Sequence, residues 1–279
     1  MLNKKSLLVF IKKTPIGFIG ALFVIFLLFI AILAPYLTPY DPVIQDYQRF
    51  QSPNINHWLG TDSLGRDICS RIIQGTRVSM FVGLLAVTIA LILGTNLGII
   101  SGYFGGKIDT VLMRFIDILL AFPGLVLAML ISGLLGPSLV NAMIAVGIML
   151  TPSFARVSRG SVLTVKNEPY IASAKTIGCS NLYIILKYIL PNIMVPLSVL
   201  FSISLSIAIL AESALSFLGL GIQPPTADWG SMVRDNATLI SYDDITPLLP
   251  AGAIALLTVA TNFVVDWMLH KSSGLKDVN

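Results

Sequence analysis

Residues Tyr170–Asn192 read YIASAKTIGCSNLYIILKYILPN and lie between two long uncharged runs. Pro169 suits the first turn of a helix, and Ala172-Ser173-Ala174 keep its side chains small. Gly178 supplies a C-terminal stop, and Ser180 can cap a second helix. That second helix enters apolar sequence and meets Leu190-Pro191. A short polar helix hung between two membrane spans has the layout of a docking loop, the part a membrane protein needs if a partner moves it.

The rest of the chain is built for lipid. It is 55% hydrophobic and 11% charged, against about 25% charge in a soluble domain, and its mean hydropathy is +0.85. The expected class is an all-α polytopic membrane protein. Uncharged runs cover Ile16–Ala34, Val78–Ile100, Ile118–Ala155, Tyr188–Ala211 and Ile245–Val265. A helix needs about 20 apolar residues to cross the hydrocarbon. The third run is too long for one helix and is broken at Gly136-Pro137-Ser138, so six spans are expected. The first run is too long for a signal peptide, and Ala34-Pro35-Tyr36 is a poor cleavage site.

Charge then orients the spans. Alternation puts 1–15, 101–117, 156–187 and 266–279 on one side. These segments hold all but five of the 18 Lys and Arg residues: Arg49, Arg66, Arg71, Arg77 and Arg234 lie opposite. The positive-inside rule makes the lysine-rich side, and both termini, cytoplasmic. The expected organisation is a cytoplasmic N-terminus 1–15, a peripheral first span 16–35 and an extracytoplasmic segment 36–77. A core 78–269 follows, with spans 78–100, 118–135, 139–155, 188–211 and 245–265. It includes the cytoplasmic loop 156–187 and the outer loop 212–244. The tail is 270–279. The basic balance is thus a matter of topology and gives no sign of nucleic-acid binding. Cys69 and Cys179 fall on opposite sides and form no metal-ligand cluster.

Several features have structural readings. Gly94, Gly98 and Gly102 form a flat stripe where another helix can approach, and Asn96 is an interhelical donor. Pro123 should kink the third span. In 36–77, Asp67 can cap a short helix through Gln74, and the Asp and Gly residues favour a structured lid over contact with a substrate-delivery partner. On the fifth span, Ser202 and Ser206 could wall a polar pathway or simply pack. Glu212 sits at the membrane rim, either functional, as a third wall residue of the pathway, or locally paired. The ten residues Ser213–Ile222 are too short to span and read as a re-entrant or interfacial hairpin. Gly105-Gly106-Lys107 fails as a phosphate loop because Ser101 and Ile108 hold the places that need Gly and Ser or Thr. No catalytic or metal-binding constellation is present, so mechanical work must come from elsewhere.

The docking stretch resembles the EAA loop of ABC importer permeases, with Ala172-Ser173-Ala174, Gly178, Tyr188 and Leu190-Pro191 at the loop's spacing. Gly60–Asp67 followed by Ser70-Arg71 and Gly75 is similar to the GTDxxGRDxxSRxxxG signature of dipeptide, oligopeptide and nickel permeases. Ser101–Gly106 with Asp109 and Arg114, and Glu212–Leu220 followed by Pro224-Pro225 and Asp228–Met232, resemble further stretches of that family. Near the end, Val265, Leu269 and His270 replace the family's Gly, Arg and Asp.

The resemblance implies a type I ABC importer transmembrane domain, of the C-type subunit, in a bacterial or archaeal cytoplasmic membrane. It implies a homologous second permease, two ATPase subunits that bind the ATP and Mg, and an extracytoplasmic solute-binding protein. No cofactor would reside in this chain. Ala172, Ser173, Ala174, Gly178, Leu190 and Pro191 would be the coupling residues. The cargo would be a short peptide, glutathione, a nickel or cobalt chelate or another metallophore. The competing expectation is an ion-gradient-driven transporter of a small polar solute, but such folds show internal repeats and mid-span ionisable residues, and neither is found.

Overall fold

The computed structural model describes residues 15–237 and 246–274. The N-terminal lysines, Asp243, Asp244, Ile245, the tail beyond Gly274 and the side chains of 266–274 lie outside the described residues. The elements are helical: α1 Pro15–Leu37, α2 Ile68–Phe104, α3 Gly106–Leu120, α4 Gly124–Leu135, α5 Leu139–Lys166 and α6 Pro169–Thr176. Then come α7 Asn181–Ile184, a π turn Ile185–Ile189, α8 Leu190–Phe217, α9 Trp229–Asn236 and α10 Leu248–Gly274. Five helices are long and apolar enough to cross a membrane, and α3 with α4 makes a sixth if that bent pair counts as one.

α2 is longer than its apolar run. Its 37 residues rise about 55 Å at 1.5 Å each, well beyond a hydrocarbon core of about 30 Å. The short helix anticipated after Asp67 is the first turns of α2, because nothing breaks it. Gly75 stays helical and makes room for a neighbour: a Cβ there would fall 2.8 Å from the Trp229 ring. Asp67 caps the helix through Ser70 N at 2.7 Å, satisfying an amide the helix leaves free.

The third span differs from expectation. In place of one kinked helix over 118–135, α3 and α4 meet at 90°. Pro123 has no amide to give and drives Phe122 out of helical geometry, so the chain turns instead of bending. α4 alone, with 12 residues, is about 18 Å long and too short to cross. α8 also corrects the sequence reading. It continues through Phe217, so Ser213–Phe217 belong to the helix and no hairpin forms there. No Gly or Pro interrupts that stretch before Gly219, where φ is +80°.

α2 and α5 pack closely at the centre. A Cβ on Gly94 would lie 2.5 Å from Thr151 O, and on Gly102 3.0 Å from Arg159 O. Gly147 answers from α5, where a Cβ would lie 2.8 Å from Ile89 Cγ2. α1 lies outside, its Gly20 against Ala260 and Phe263 of α10, while Ile19, Ile25, Phe29 and Ile32 face away from the protein.

The bundle therefore has two ends. One carries segment 38–67 and α9. The other carries the α2–α3 junction, α6 and α7.

Candidate functional site

At the second end, α6 begins with Pro169 at its first turn and ends in a Schellman motif. Gly178 N donates to Lys175 O at 3.0 Å and Cys179 N to Ala174 O at 3.0 Å. Gly178 has φ +85°, which only glycine adopts freely. Ser180 Oγ then accepts from Tyr183 N at 3.3 Å, starting α7.

The helix has two faces. Ile171 and Ala174 are buried against the bundle. Ala172 and Ser173 are exposed. In the segment that follows, apolar side chains are uncovered: Ile177 (78% exposed), Leu182 (66%), Leu186 (55%) and Tyr183 (48%). Large apolar groups clustered at a polar helix mark an interaction surface. Leu190 is half-buried and Pro191 exposed at the start of α8, just past the π turn. Asn192 Nδ2 donates to Tyr188 O at 2.6 Å in that turn.

Tyr103 fastens this end to the core. Its hydroxyl donates to Asn181 Oδ1 at 2.8 Å, and Lys166 Nζ donates to its carbonyl at 2.5 Å. Lys166 and Lys175 also stand over its ring, 5.8 and 5.4 Å from the centroid. Cations near the exposed carbonyls of a helix C-terminus are favourable, and those over an aromatic face add to this. Beside it, Arg159 grips Asp109 with two bonds of 2.6 Å, and Ser101 Oγ also donates to Asp109. One residue thus links α2, α5, α6 and α7. Sequence reading assigned Tyr103 no role, because Lys166 and Asn181 are far away along the chain and no local pattern joins them.

The other candidates lie elsewhere. Ser206 is buried and shares a hydrogen bond with Thr261 of α10. Ser202 is half-buried on α8. Glu212 is fully buried, with Ser216 Oγ donating to it at 3.1 Å.

At the first end the glycines and acids of 57–71 fold segment 38–67. Gly60 and Gly65 have φ +77° and +76°, and a Cβ on either would fall 2.2 Å from a carbonyl oxygen, of Gln51 and Tyr47 respectively. Asp62 accepts from Leu64 N, Arg66 N and Arg66 Nε at 2.9, 3.0 and 2.7 Å. His57 Nδ1 lies 2.9 Å from Asp67 Oδ1. These residues build an architecture and are mostly buried.

Residues 94–272 match the family described as binding-protein-dependent transport system inner membrane component. The chain belongs to that family. Residues 10–53 also match the N-terminal transmembrane domain of oligopeptide transport permease C. The chain is 42% identical over 268 residues to the dipeptide transport system permease protein DppC of Alkalihalophilus pseudofirmus, covering 96% of this chain and 86% of that one. It is 40% identical to the glutathione transport system permease protein GsiD of Pectobacterium atrosepticum, covering 92% and 84%. DppC of Haemophilus influenzae is 38% identical, covering 96% and 91%. This transport component is a multi-pass inner-membrane permease subunit of the type I ABC kind.

Proposed function

We propose that this chain is the C-type permease of an ATP-driven importer of short peptides, with the α6 surface as its handle. The observation that carries the reading is the exposed face of α6, Ala172 and Ser173, followed by the exposed Ile177. Ile177 precedes the candidate span Asn181–Phe217, and a large apolar side chain left exposed there needs a protein cover. Two ATPase subunits supply it for this permease and its homologous partner, and they bind the ATP and Mg. The positive-inside count supports a cytoplasmic side for α6 and both termini. Segment 38–67 and α9 then face the extracytoplasmic solute-binding protein. ATP-driven closure of the ATPases moves α6, and Tyr103 passes the movement to α2.

Relatives named for dipeptide and glutathione transport support a peptide cargo. Nothing in those names supports a metal chelate, and a gradient-driven mechanism finds no support in a binding-protein-dependent family. Among the three pathway candidates, Ser202 is the one that is partly exposed. Ser206 and Glu212 are enclosed by this chain.

The test is co-purification of the tagged permease, expressed with its chromosomal neighbours, with and without Ala172→Arg and Gly178→Arg. Ala172 is exposed, so its change leaves the fold intact. Loss of a co-purifying ATPase from the Ala172 variant is the expected result. Undiminished binding, or no ATPase bound by the parent protein, overturns the reading.

A further inference from the structure

Two carboxylates are shut inside the first end of the bundle. Glu212, in the last turns of α8, and Asp228, the residue that caps α9, both have no exposed surface. Among the described residues neither has a Lys, Arg or His within ion-pair distance. Backbone contacts hold them together. A Cβ on Gly230 would fall 2.3 Å from Ser213 O, and on Gly221 2.8 Å from the Ser216 Cα, so the start of α9 and the turn after α8 are pressed onto the Glu212 turn. Ser216 Oγ donates to Glu212 Oε1 at 3.1 Å and also lies against the Asp228 carboxyl.

The hydrogen-bond inventory leaves a gap. Asp228 Oδ1 accepts from Ser231 N at 2.9 Å, but Asp228 Oδ2 is buried with no partner. Ser79 Oγ, reaching in from α2, is likewise buried without one and lies beside Glu212. Two bare negative charges enclosed together would each cost several kcal/mol, and a carboxylate pair sharing one site keeps a proton instead. We propose that the two carboxyls hold one proton between them, shared by Asp228 Oδ2 and Glu212, making an acid–carboxylate latch that fastens α9 to α8.

Burial pushes the Asp228 carboxyl up from its ordinary range, in keeping with the geometry. The charged groups around it are few. From α2, Arg71 is the cation whose field reaches Asp228, but its own contacts are Asp62 at 3.6 Å and Pro42 O at 3.1 Å. From α9, Arg234 is held by Ser216 O and Asp235, and Asp235 faces Arg66 of segment 38–67. From α8 only Glu212 faces Asp228. α10 has no titratable side chain between Leu248 and Val265. A proton that the folded state keeps and the unfolded state gives up makes folding weaker as pH rises above the ordinary Asp value of 3.8. The loss is tenfold in the folding equilibrium per pH unit until the native group also ionises.

The test is infrared spectroscopy of the permease in membranes, with carbon-13-labelled aspartate or glutamate, near neutral pH. The expected result is a protonated carboxyl band that shifts with the label and vanishes in Asp228→Asn, whose amide can donate to Glu212 in place of the acid. That variant should also lose the tenfold-per-unit alkaline weakening of thermal unfolding while keeping its fold. Glu212→Gln, which keeps an acceptor oxygen but removes the charge that holds the proton in the pair, should move or abolish the same band. The proposal is overturned if no labelled protonated band exists, if it survives both substitutions, or if sodium rather than a proton stabilises the parent protein and not the variants. Failure of ATPase docking at α6 would leave this outcome untouched, because the latch lies at the opposite end.

Discussion

Gly98 of α2 lies flat against the backbone of Ala155 in α5: a Cβ added to it would fall 2.4 Å from the Ala155 carbonyl oxygen and 2.5 Å from Ser158 Cβ. Backbone cannot yield as a side-chain tip can. Gly98→Val should therefore cost at least the 1–3 kcal/mol typical of overpacking, read as a fall in thermal unfolding temperature in detergent. Gly133→Ala in α4 is the control. It meets nothing within 4 Å and should be neutral or stabilising by about 0.5–1 kcal/mol.

Gly178→Ala separates backbone from space. A Cβ there meets nothing within 4 Å, so any penalty comes from φ +85°. About 1–2 kcal/mol is expected, localised to the end of α6 and visible as faster hydrogen exchange there. Asn, which tolerates that conformation, should recover much of it. Equal exchange in all three proteins would disprove the Schellman reading.

The Asp109–Arg159 and Asp117–Arg156 pairs look alike in sequence and should differ in strength. The first is bidentate, with its side chains 20% and 34% exposed. The second is a single contact with 59% and 57% exposed. Double-mutant cycles should give about 1–2 kcal/mol for the first and under about 0.5 for the second. Raised salt should weaken the second more.

Asp67→Ala should remove more than a cap. The carboxylate serves Ser70 N, Ser70 Oγ and buried His57. Loss of the cap costs about 1–2 kcal/mol, and stranding the imidazole adds to it. Asp67→Asn keeps an acceptor and should lose less. Protease sensitivity of segment 38–67 is the readout. An Ala variant as resistant as the parent would show that the segment is held by other contacts.

What could be read in advance follows what is local. Apolar run length located most of the long helices, because lipid permits little else than helices, but not their ends or the bent pair at 118–135. The punctuation of α6, with Pro169, Gly178 and Ser180, was legible because each acts through its own backbone. The 90° turn at Pro123 was underestimated: a proline signals that a helix is disturbed, but the angle depends on what packs around it. The hairpin expected at Ser213–Ile222 failed because its start belongs to α8, held by α9, and that contact is invisible in a linear reading. Tyr103 and the Glu212–Asp228 pocket were out of reach for the same reason, since their meaning arises only from partners brought by other helices.

α2 runs unbroken from the Asp67 cap to Tyr103. It is a strut with no flexible joint in series, anchored at one tip in the folded segment 38–67 and at the other in the α5–α6–α7 corner. A load applied at that corner has a stiff route to the far tip, and little of the displacement is absorbed on the way. Softening the strut by a mid-helix proline would therefore uncouple the two tips while leaving each correctly folded, a defect of transmission rather than of binding.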